Sequence, residues 1–310
     1  MLQPHVIQVG TWRADEQWGL AYPEGARAKK RVLSQDEPCF VGIKPNWYYL
    51  FKHSDRRYPQ QFWGEILAYQ IGLMLEISVP PAFVAYDEST QQYAALIEWF
   101  YQEGITEFYP AGHIFQRENE TFDRRKGGQH NWSDACRISR ETVGKIWRKG
   151  IADMVLLDTL IGNSDRHQDN WGFLIDVADL QLGQYHFRFA PWFDNGTSFG
   201  SDRWPDRVLN WPSDRMRVYV DKGCHHMRDN PKNLVRVPHM VLFEVLVTRN
   251  EIKDYFVAKL ANFDFDRFVE IMNALGTFEL PDKDRLDPLR IEWIKKLLSY
   301  RLERMREILK

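Results

Sequence analysis

The stretch whose reading decides the fold is Leu157-Asp158-Thr159-Leu160-Ile161-Gly162-Asn163-Ser164-Asp165-Arg166-His167-Gln168-Asp169-Asn170-Trp171-Gly172-Phe173. Its first residues complete an apolar helical pattern over 151–161. Gly162-Asn163 then supplies a C-cap signal, because glycine enters the left-handed backbone conformation that ends many helices. A polar loop follows, and 171–175 reads as a strand. A second strand pattern over 185–190 leads to Phe193-Asp194-Asn195-Gly196, another acidic residue at the point where a strand gives way to a glycine-containing turn. The order helix end, polar loop, strand pair and acidic turn predicts that Asp165, Asn170 and Asp194 converge.

An Asp followed five positions later by an Asn, with a second Asp after a hairpin, is the arrangement that phosphotransferases of the protein-kinase type use. One carboxylate orients the acceptor hydroxyl, and the amide oxygen and the other carboxylate hold Mg²⁺, which favours hard oxygen ligands, on the ATP phosphates. This chemistry also needs a lysine on a small-lobe strand and a glutamate on the adjacent helix to hold it. Towards the N-terminus, the strand-forming run Trp-Tyr-Tyr-Leu-Phe over 47–51 ends at Lys52, and a polar segment follows over 53–59. Residues 60–77 then repeat Phe62, Ile66, Tyr69 and Leu73 at helical spacing, widened by Trp63, Leu67 and Met74. Glu65 lies in line with the small residues Ala68 and Gly72, so its side of the helix can approach a neighbour closely and carry an inward-pointing charge. Lys52 and Glu65 thus stand in the required order and placement.

Val79-Pro80-Pro81 stops the helix, and 82–86 and 93–100 read as strands around the turn Asp87-Glu88-Ser89-Thr90. Beyond Gly104, residues 116–133 carry Arg117, Arg124, Arg125 and Lys126 with little apolar period, and read as an exposed loop. A helical pattern resumes over 141–149. Residues 201–238, rich in Asp, Arg, Trp and Pro, read as a long irregular connection, in which the Trp204 to Trp211 part either serves packing or borders the acceptor cleft. From 240 the pattern is helical again and ends in an amphipathic segment over 291–309. The expected fold is α+β with two lobes: a small mixed α/β lobe over 1–100 that binds nucleotide, and a mostly helical catalytic lobe over 101–310.

Composition bounds the alternatives. The 310 residues are 44% hydrophobic and 27% charged, which excludes disordered and collagen-like chains. A formal net charge of −2 offers no overall field for nucleic acid or anionic membrane, although a local basic groove stays compatible with it. No leader pattern opens the sequence, no apolar run is long enough to span a bilayer, and the three dispersed cysteines are not a disulfide framework. These features lead to an expected cytoplasmic location. Cys224-His225-His226 lacks a second Cys/His pair at ligand spacing, so a surface loop is expected there in place of a zinc site.

With these residues in view, the chain resembles the HipA-like kinase family, whose fold is related to those of protein kinases and phosphoinositide kinases. The resemblance rests on Tyr49-Leu50-Phe51-Lys52, on the helix containing Glu65, on Glu98-Trp99-Phe100 as an interlobe hinge, and on 162–170 with Phe193-Asp194-Asn195. It implies that Lys52 binds the ATP α/β-phosphates and pairs with Glu65. Asp165 is then the catalytic base or hydroxyl-orienting residue, Asn170 and Asp194 are the metal ligands, and the backbone of Glu98, Trp99 and Phe100 meets the adenine. His167 contacts the transferred phosphate. No G-x-G-x-x-G occurs, and the nearest phosphate-loop candidate is Gly25-Ala26-Arg27-Ala28-Lys29-Lys30, in which Gly25 and Arg27 are the residues of interest. Many kinases place a lysine two residues after the catalytic Asp, where this chain has His167, leaving open whether Arg166, His167 or neither supplies that charge.

The resemblance further implies serine/threonine phosphorylation of a protein, with aminoacyl-tRNA synthetases among the substrates of relatives. It also implies a bacterial toxin or effector role, in the bacterial cytoplasm or in a host cytosol, with an antitoxin as partner. HipA toxins carry an additional N-terminal domain that this shorter chain is expected to lack, leaving open whether a separate protein supplies it. The competing readings are a phosphoinositide or small-molecule kinase and a nucleotide-binding pseudokinase.

Overall fold

The computed structural model describes residues 2–16 and 28–310, and Gly25 and Arg27 therefore lie outside the described residues. The N-terminal part is built from β1 (Ile7–Gln8), β2 (Arg13–Ala14), β3 (Lys29–Leu33), β4 (Tyr48–Lys52), α1 (Trp63–Leu75), β5 (Ala82–Asp87) and β6 (Gln92–Glu98). The strands form one sheet of order β1-β5-β6-β4-β3-β2, antiparallel except for the β1/β5 pair.

Successive side chains of a strand point to opposite faces. Tyr49 and Phe51 of β4 therefore join Phe83, Ala85, Ala94 and Leu96 in a cluster with Ile7, Trp12 and Phe40 on the outer face. Ala82, Val84, Ala95 and Ile97 point the other way, onto α1. The same alternation turns Lys52 away from Phe51 and towards α1. That helix is buried along most of its length, because the sheet covers one side and the helical lobe the other. Gly72 admits Val79 and the carbonyl of Ile77 where a Cβ would meet both within 3.0 Å, so the chain reverses tightly at the helix end.

The second lobe begins with β7 (Thr106–Pro110), α2 (Ala111–Glu118), α3 (Trp132–Val143) and α4 (Trp147–Ile161), the last two joined by a single 3₁₀ turn. Then come β8 (Gly172–Asp176), α5 (Val177–Gln181), β9 (Arg188–Phe189), α6 (Pro205–Val208), α7 (Ser213–Lys222) and a ribbon of β10 (Cys224–Arg228) with β11 (Arg236–Pro238). Four helices complete the chain: α8 (His239–Val247), α9 (Asn250–Ala261), α10 (Phe265–Gly276) and α11 (Pro288–Leu309). Strands β7, β8 and β9 form a small antiparallel sheet. Helix α4 is the spine of this lobe, packed against α1, α3, α8, α9 and α11. Its buried run from Met154 to Ile161 ends at Gly162 in the left-handed conformation, as the C-cap signal predicts. The α+β, two-lobed fold class is the one observed.

Three local expectations are corrected. Residues 116–133 are not all loop, since α2 extends to Glu118 and α3 starts at Trp132. Helix α2 spans too few turns to show a period. The start of α3 was signalled by Asn131, whose side chain caps it by accepting from the Asp134 N–H at 2.9 Å. Residues 201–238 are also structured, with Pro205 and Pro212 marking the starts of two short helices. Here Trp211 packs edge-on against Trp293 and Lys296 ties the Leu209 and Trp211 carbonyls to α11, in keeping with a packing role for the Trp-rich part. Finally, Cys224-His225-His226 is not a surface loop: both histidines are buried on β10, and His225 Nε2 lies 3.1 Å from Asp158.

Candidate active site

Lys52 and Glu65 meet at the inner face of the sheet. Lys52 Nζ donates to Glu65 Oε1 at 2.8 Å and to Asp194 Oδ1 at 2.7 Å. The carboxylate of Glu65 is nearly full: besides Lys52 it accepts from the backbone N–H groups of Asn195 at 2.8 Å and Gly196 at 3.1 Å. This closeness needs a bare backbone on the helix, because a Cβ on Gly64 would fall 2.8 Å from the Asn195 carbonyl oxygen. Asp194 takes a left-handed conformation with φ of 59°, which Asp tolerates better than most residues. One continuous chain of charge thus runs from β4 through α1 to the acidic turn.

The segment from Asn163 to Asn170 is locked from within. Asn163 Oδ1 accepts from the Asp165 N–H at 3.0 Å and from the Thr197 hydroxyl at 3.0 Å, and its Nδ2 donates to the Asp194 carbonyl at 3.2 Å. The Asp165 carbonyl accepts from Asn170 Nδ2 at 2.8 Å, a bond that turns the amide so that Oδ1 is the atom left for a ligand. The Asp169 N–H donates to His167 Nδ1, which assigns the proton of a neutral His167 ring to Nε2. Asp165 itself is half-buried.

Beneath this loop sits Arg166, fully buried, whose role the sequence did not disclose. Its guanidinium forms a fork with both oxygens of Asp158 at 3.0 and 2.8 Å, and donates to the Asn170 carbonyl at 2.9 Å and to Asn195 Oδ1 at 2.7 Å. A further bond reaches the Phe193 carbonyl. Burial alone would raise the Asp158 pKa, but Arg166 and His225 outweigh it and hold the carboxylate at about 2. Arg166 therefore fastens α4, the Asp165 loop and the Asp194 turn together, and it is not a charge offered to substrate.

The expected hinge segment is bonded to Tyr48, Pro81 and the Trp47 indole. The Trp99 N–H donates to the Tyr48 carbonyl and the Trp99 carbonyl accepts from the Trp47 indole at 2.7 Å, so both its backbone groups are engaged. The Glu98 N–H donates to the Pro81 carbonyl, and the Glu98 side chain pairs with Lys44 at 2.7 Å. Among the described residues, Phe100 is the member of the segment whose backbone N–H makes no such backbone bond. Its ring stacks on Phe193 at 5.0 Å and meets Phe108 edge-on at 5.2 Å, a small apolar box next to Asp194. Lys30, from the phosphate-loop candidate, is paired with Asp87 at 2.6 Å.

No group of three or more His, Cys, Asp or Glu side chains is arranged to hold a metal by itself among the described residues. Asn170 and Asp194 offer an amide oxygen and a carboxylate instead, a donor set that fits Mg²⁺, which takes one or two protein ligands and completes its shell with phosphates and water. Of the residues singled out in the sequence, Lys52, Glu65, Asp165, Asn170 and Asp194 are drawn into one bonded network. The network also needs Asp158, Asn163, Arg166, Asn195 and Thr197.

No protein-family model matches the chain, and no curated protein matches it in sequence. Among solved structures it is similar to a proinflammatory kinase of Helicobacter pylori, CtkA, with a TM-score of 0.75 and 16% identity over 98% of this chain and 96% of that one. A complex of HipA, HipB and operator DNA from a Shewanella oneidensis toxin–antitoxin system gives a TM-score of 0.48 and 11% identity over 99% of this chain and 73% of that one. At this level of identity the likeness to the H. pylori protein is one of fold, and the fold is the two-lobed kinase fold that the resemblance to HipA-like kinases implied.

Proposed function

We propose that the chain is an ATP- and Mg²⁺-dependent kinase that transfers the γ-phosphate to a serine or threonine hydroxyl of a protein. The observation that carries this reading is the ion-paired chain Lys52–Glu65–Asp194 fastened, through Asn163 and Arg166, to the loop of Asp165 and Asn170. The lobe over 1–100 supplies the nucleotide-binding face and the lobe over 101–310 the catalytic loop.

The roles follow from the chemistry of each group. Glu65, satisfied by two backbone N–H groups, keeps Lys52 Nζ at the mouth of the sheet, where it binds the α/β-phosphates. Asn170 Oδ1 and Asp194 would hold Mg²⁺, which when bound neutralises charge on the phosphates. Asp165 accepts a hydrogen bond from the acceptor hydroxyl, orients it and takes its proton as the hydroxyl oxygen bonds to the γ-phosphorus and the bond to the β,γ-bridging oxygen breaks, releasing ADP. His167, with Nε2 carrying its proton, donates to an oxygen of the transferred phosphoryl group. Phe100 and Phe193 furnish an apolar surface for the adenine edge. In phosphoryl transfer, positioning and charge stabilisation do most of the work, and a loop this heavily bonded suits both.

Support for a kinase over another ATP-binding activity comes from the fold shared with the H. pylori kinase. The Shewanella HipA structure contains HipB, and an antitoxin-like partner belongs to the same proposal. Calorimetric titration with ATP, with and without Mg²⁺, separates the roles. Mg²⁺ should strengthen ATP binding in the native chain and in Asp165→Ala, and should lose its effect in Asp194→Asn. An unchanged Mg²⁺ effect in Asp194→Asn would remove Asp194 as a metal ligand.

A further inference from the structure

Arg301 of α11 is a buried cation with no partner carboxylate among the described residues. Its Nη1 donates to the Thr159 carbonyl at 2.7 Å, while its Nε has no hydrogen-bond partner. Burial lowers the guanidinium to about 10, opposed only by the Tyr219 phenol. A buried charge of this kind is costly unless an anion offsets it. The residue borders a cavity of about 460 Å³. Among the described residues, three further cations line that cavity, Arg203, Arg215 and Lys222, against one carboxylate, Asp202, which Arg203 already engages at 3.3 Å.

The chain as a whole carries a formal net charge of −2, so this concentration of positive charge is local. Two of the guanidinium groups lie over ring faces, Arg215 at 4.2 Å from the Trp211 centroid and Arg203 at 5.3 Å from that of Tyr219. A guanidinium held over a ring still offers a planar fork of N–H donors to carboxylates, and Arg203 in addition bonds the Tyr219 side chain. Such stacking also covers the aromatic faces on which nucleic-acid bases would stack. The volume is far above that of one small anion and suits several side chains.

Position gives the cavity its meaning. Ser164, which precedes Asp165, and Thr197, three residues after Asp194, both line it. We propose that this cavity is an anion subsite of the acceptor cleft, taking carboxylate side chains of an acidic protein segment that flanks the hydroxyl to be phosphorylated. Its assignment to an acceptor rests on the kinase reading, whereas anion binding does not.

The test uses the full chain without nucleotide and reads fluorescence anisotropy of a labelled hexaglutamate peptide at low ionic strength. A short thymidine oligonucleotide and inorganic phosphate serve as competitors. Saturable hexaglutamate binding is expected, weakened about ten-fold or more in Arg215→Ala/Lys222→Ala, two exposed positions whose change leaves the core intact. Arg301→Gln should weaken it as well, and the double variant keeps the test decisive if Arg301→Gln fails to fold. Absent binding, binding indifferent to the double substitution, or equally tight competition by the oligonucleotide or by phosphate at the same concentration would overturn the proposal. Hexaglutamate binding in a chain that transfers no phosphate would overturn its assignment to an acceptor. Protein phosphorylation without hexaglutamate binding would overturn the subsite and leave the kinase reading standing.

Discussion

Two buried ion pairs of this molecule both bond to Asn195, and they have different alternatives when broken. Arg166 serves Asp158, two backbone carbonyls and Asn195 at once, in a fully buried setting. Removing it takes away the cation that opposes Asp158 and leaves this buried carboxylate with the His225 ring as its partner, a change that costs on the order of 3–5 kcal/mol. Lys52 serves Glu65 and Asp194, but Glu65 keeps two backbone donors when Lys52 is lost. Urea denaturation should therefore show Arg166→Met far less stable than Lys52→Met, with the latter folded and inactive. Equal losses would mean that Arg166 is not the fastener described here. The sequence made Lys52 and Glu65 legible because strand alternation and a small-residue helix face orient both inward. Arg166 was not legible, since an arginine in a polar loop reads as solvated until α4 is seen to place Asp158 beneath it.

At the scale of elements, contact between α1 and the Asp194 turn depends on what is missing from Gly64. A Cβ there would lie 2.8 Å from the Asn195 carbonyl oxygen and 3.1 Å from Gly196, both backbone atoms that cannot swing aside. Gly64→Ala should cost about 1–3 kcal/mol by overpacking and should push α1 away from the turn, loosening Lys52–Glu65–Asp194. ATP turnover should fall together with stability. Gly128→Ala, at a position with open space around it, is the control and should change neither. Longer elements were readable from periodicity: α1, α4 and α11 are predicted within a few residues. The short ones, α2, α6 and α7, were missed because one to three turns carry too few apolar repeats, and Pro205 and Pro212 marked the starts of α6 and α7.

Over the whole molecule, buried histidines govern acid stability. Burial holds His226 and His239 at about 3 and His130 well below its ordinary value, with neighbouring histidines and arginines adding to the effect. Each has a lowered folded pKa, so the unfolded chain binds more protons below about 6.5 and stability falls as pH drops from there. Asp153 works against this, since burial raises it to about 6 and the folded state holds its proton between about 6 and 4. The lowered histidines, His53 with these three, oppose the raised carboxyls Asp153 and Asp284, and the unfolded chain takes up protons net near pH 5, so stability declines as the pH falls. Asp158 adds a second loss further down, as pH falls from about 4 through its folded value of about 2. Urea midpoints at pH 7, 6 and 5 should decline steadily; a flat profile would mean that the histidines are solvated.

Every role proposed for these residues depends on phosphoryl transfer at the loop of Asp165. Its most direct test is incubation of the purified chain with γ-labelled ATP and Mg²⁺, alone and with a cell lysate, beside Asp165→Ala. Label is expected on protein serine or threonine, reduced about 10²–10⁴-fold in Asp165→Ala, the range that a positioned proton acceptor contributes. Label that persists undiminished in Asp165→Ala, or ATP bound with no label transferred to any protein, would contradict it.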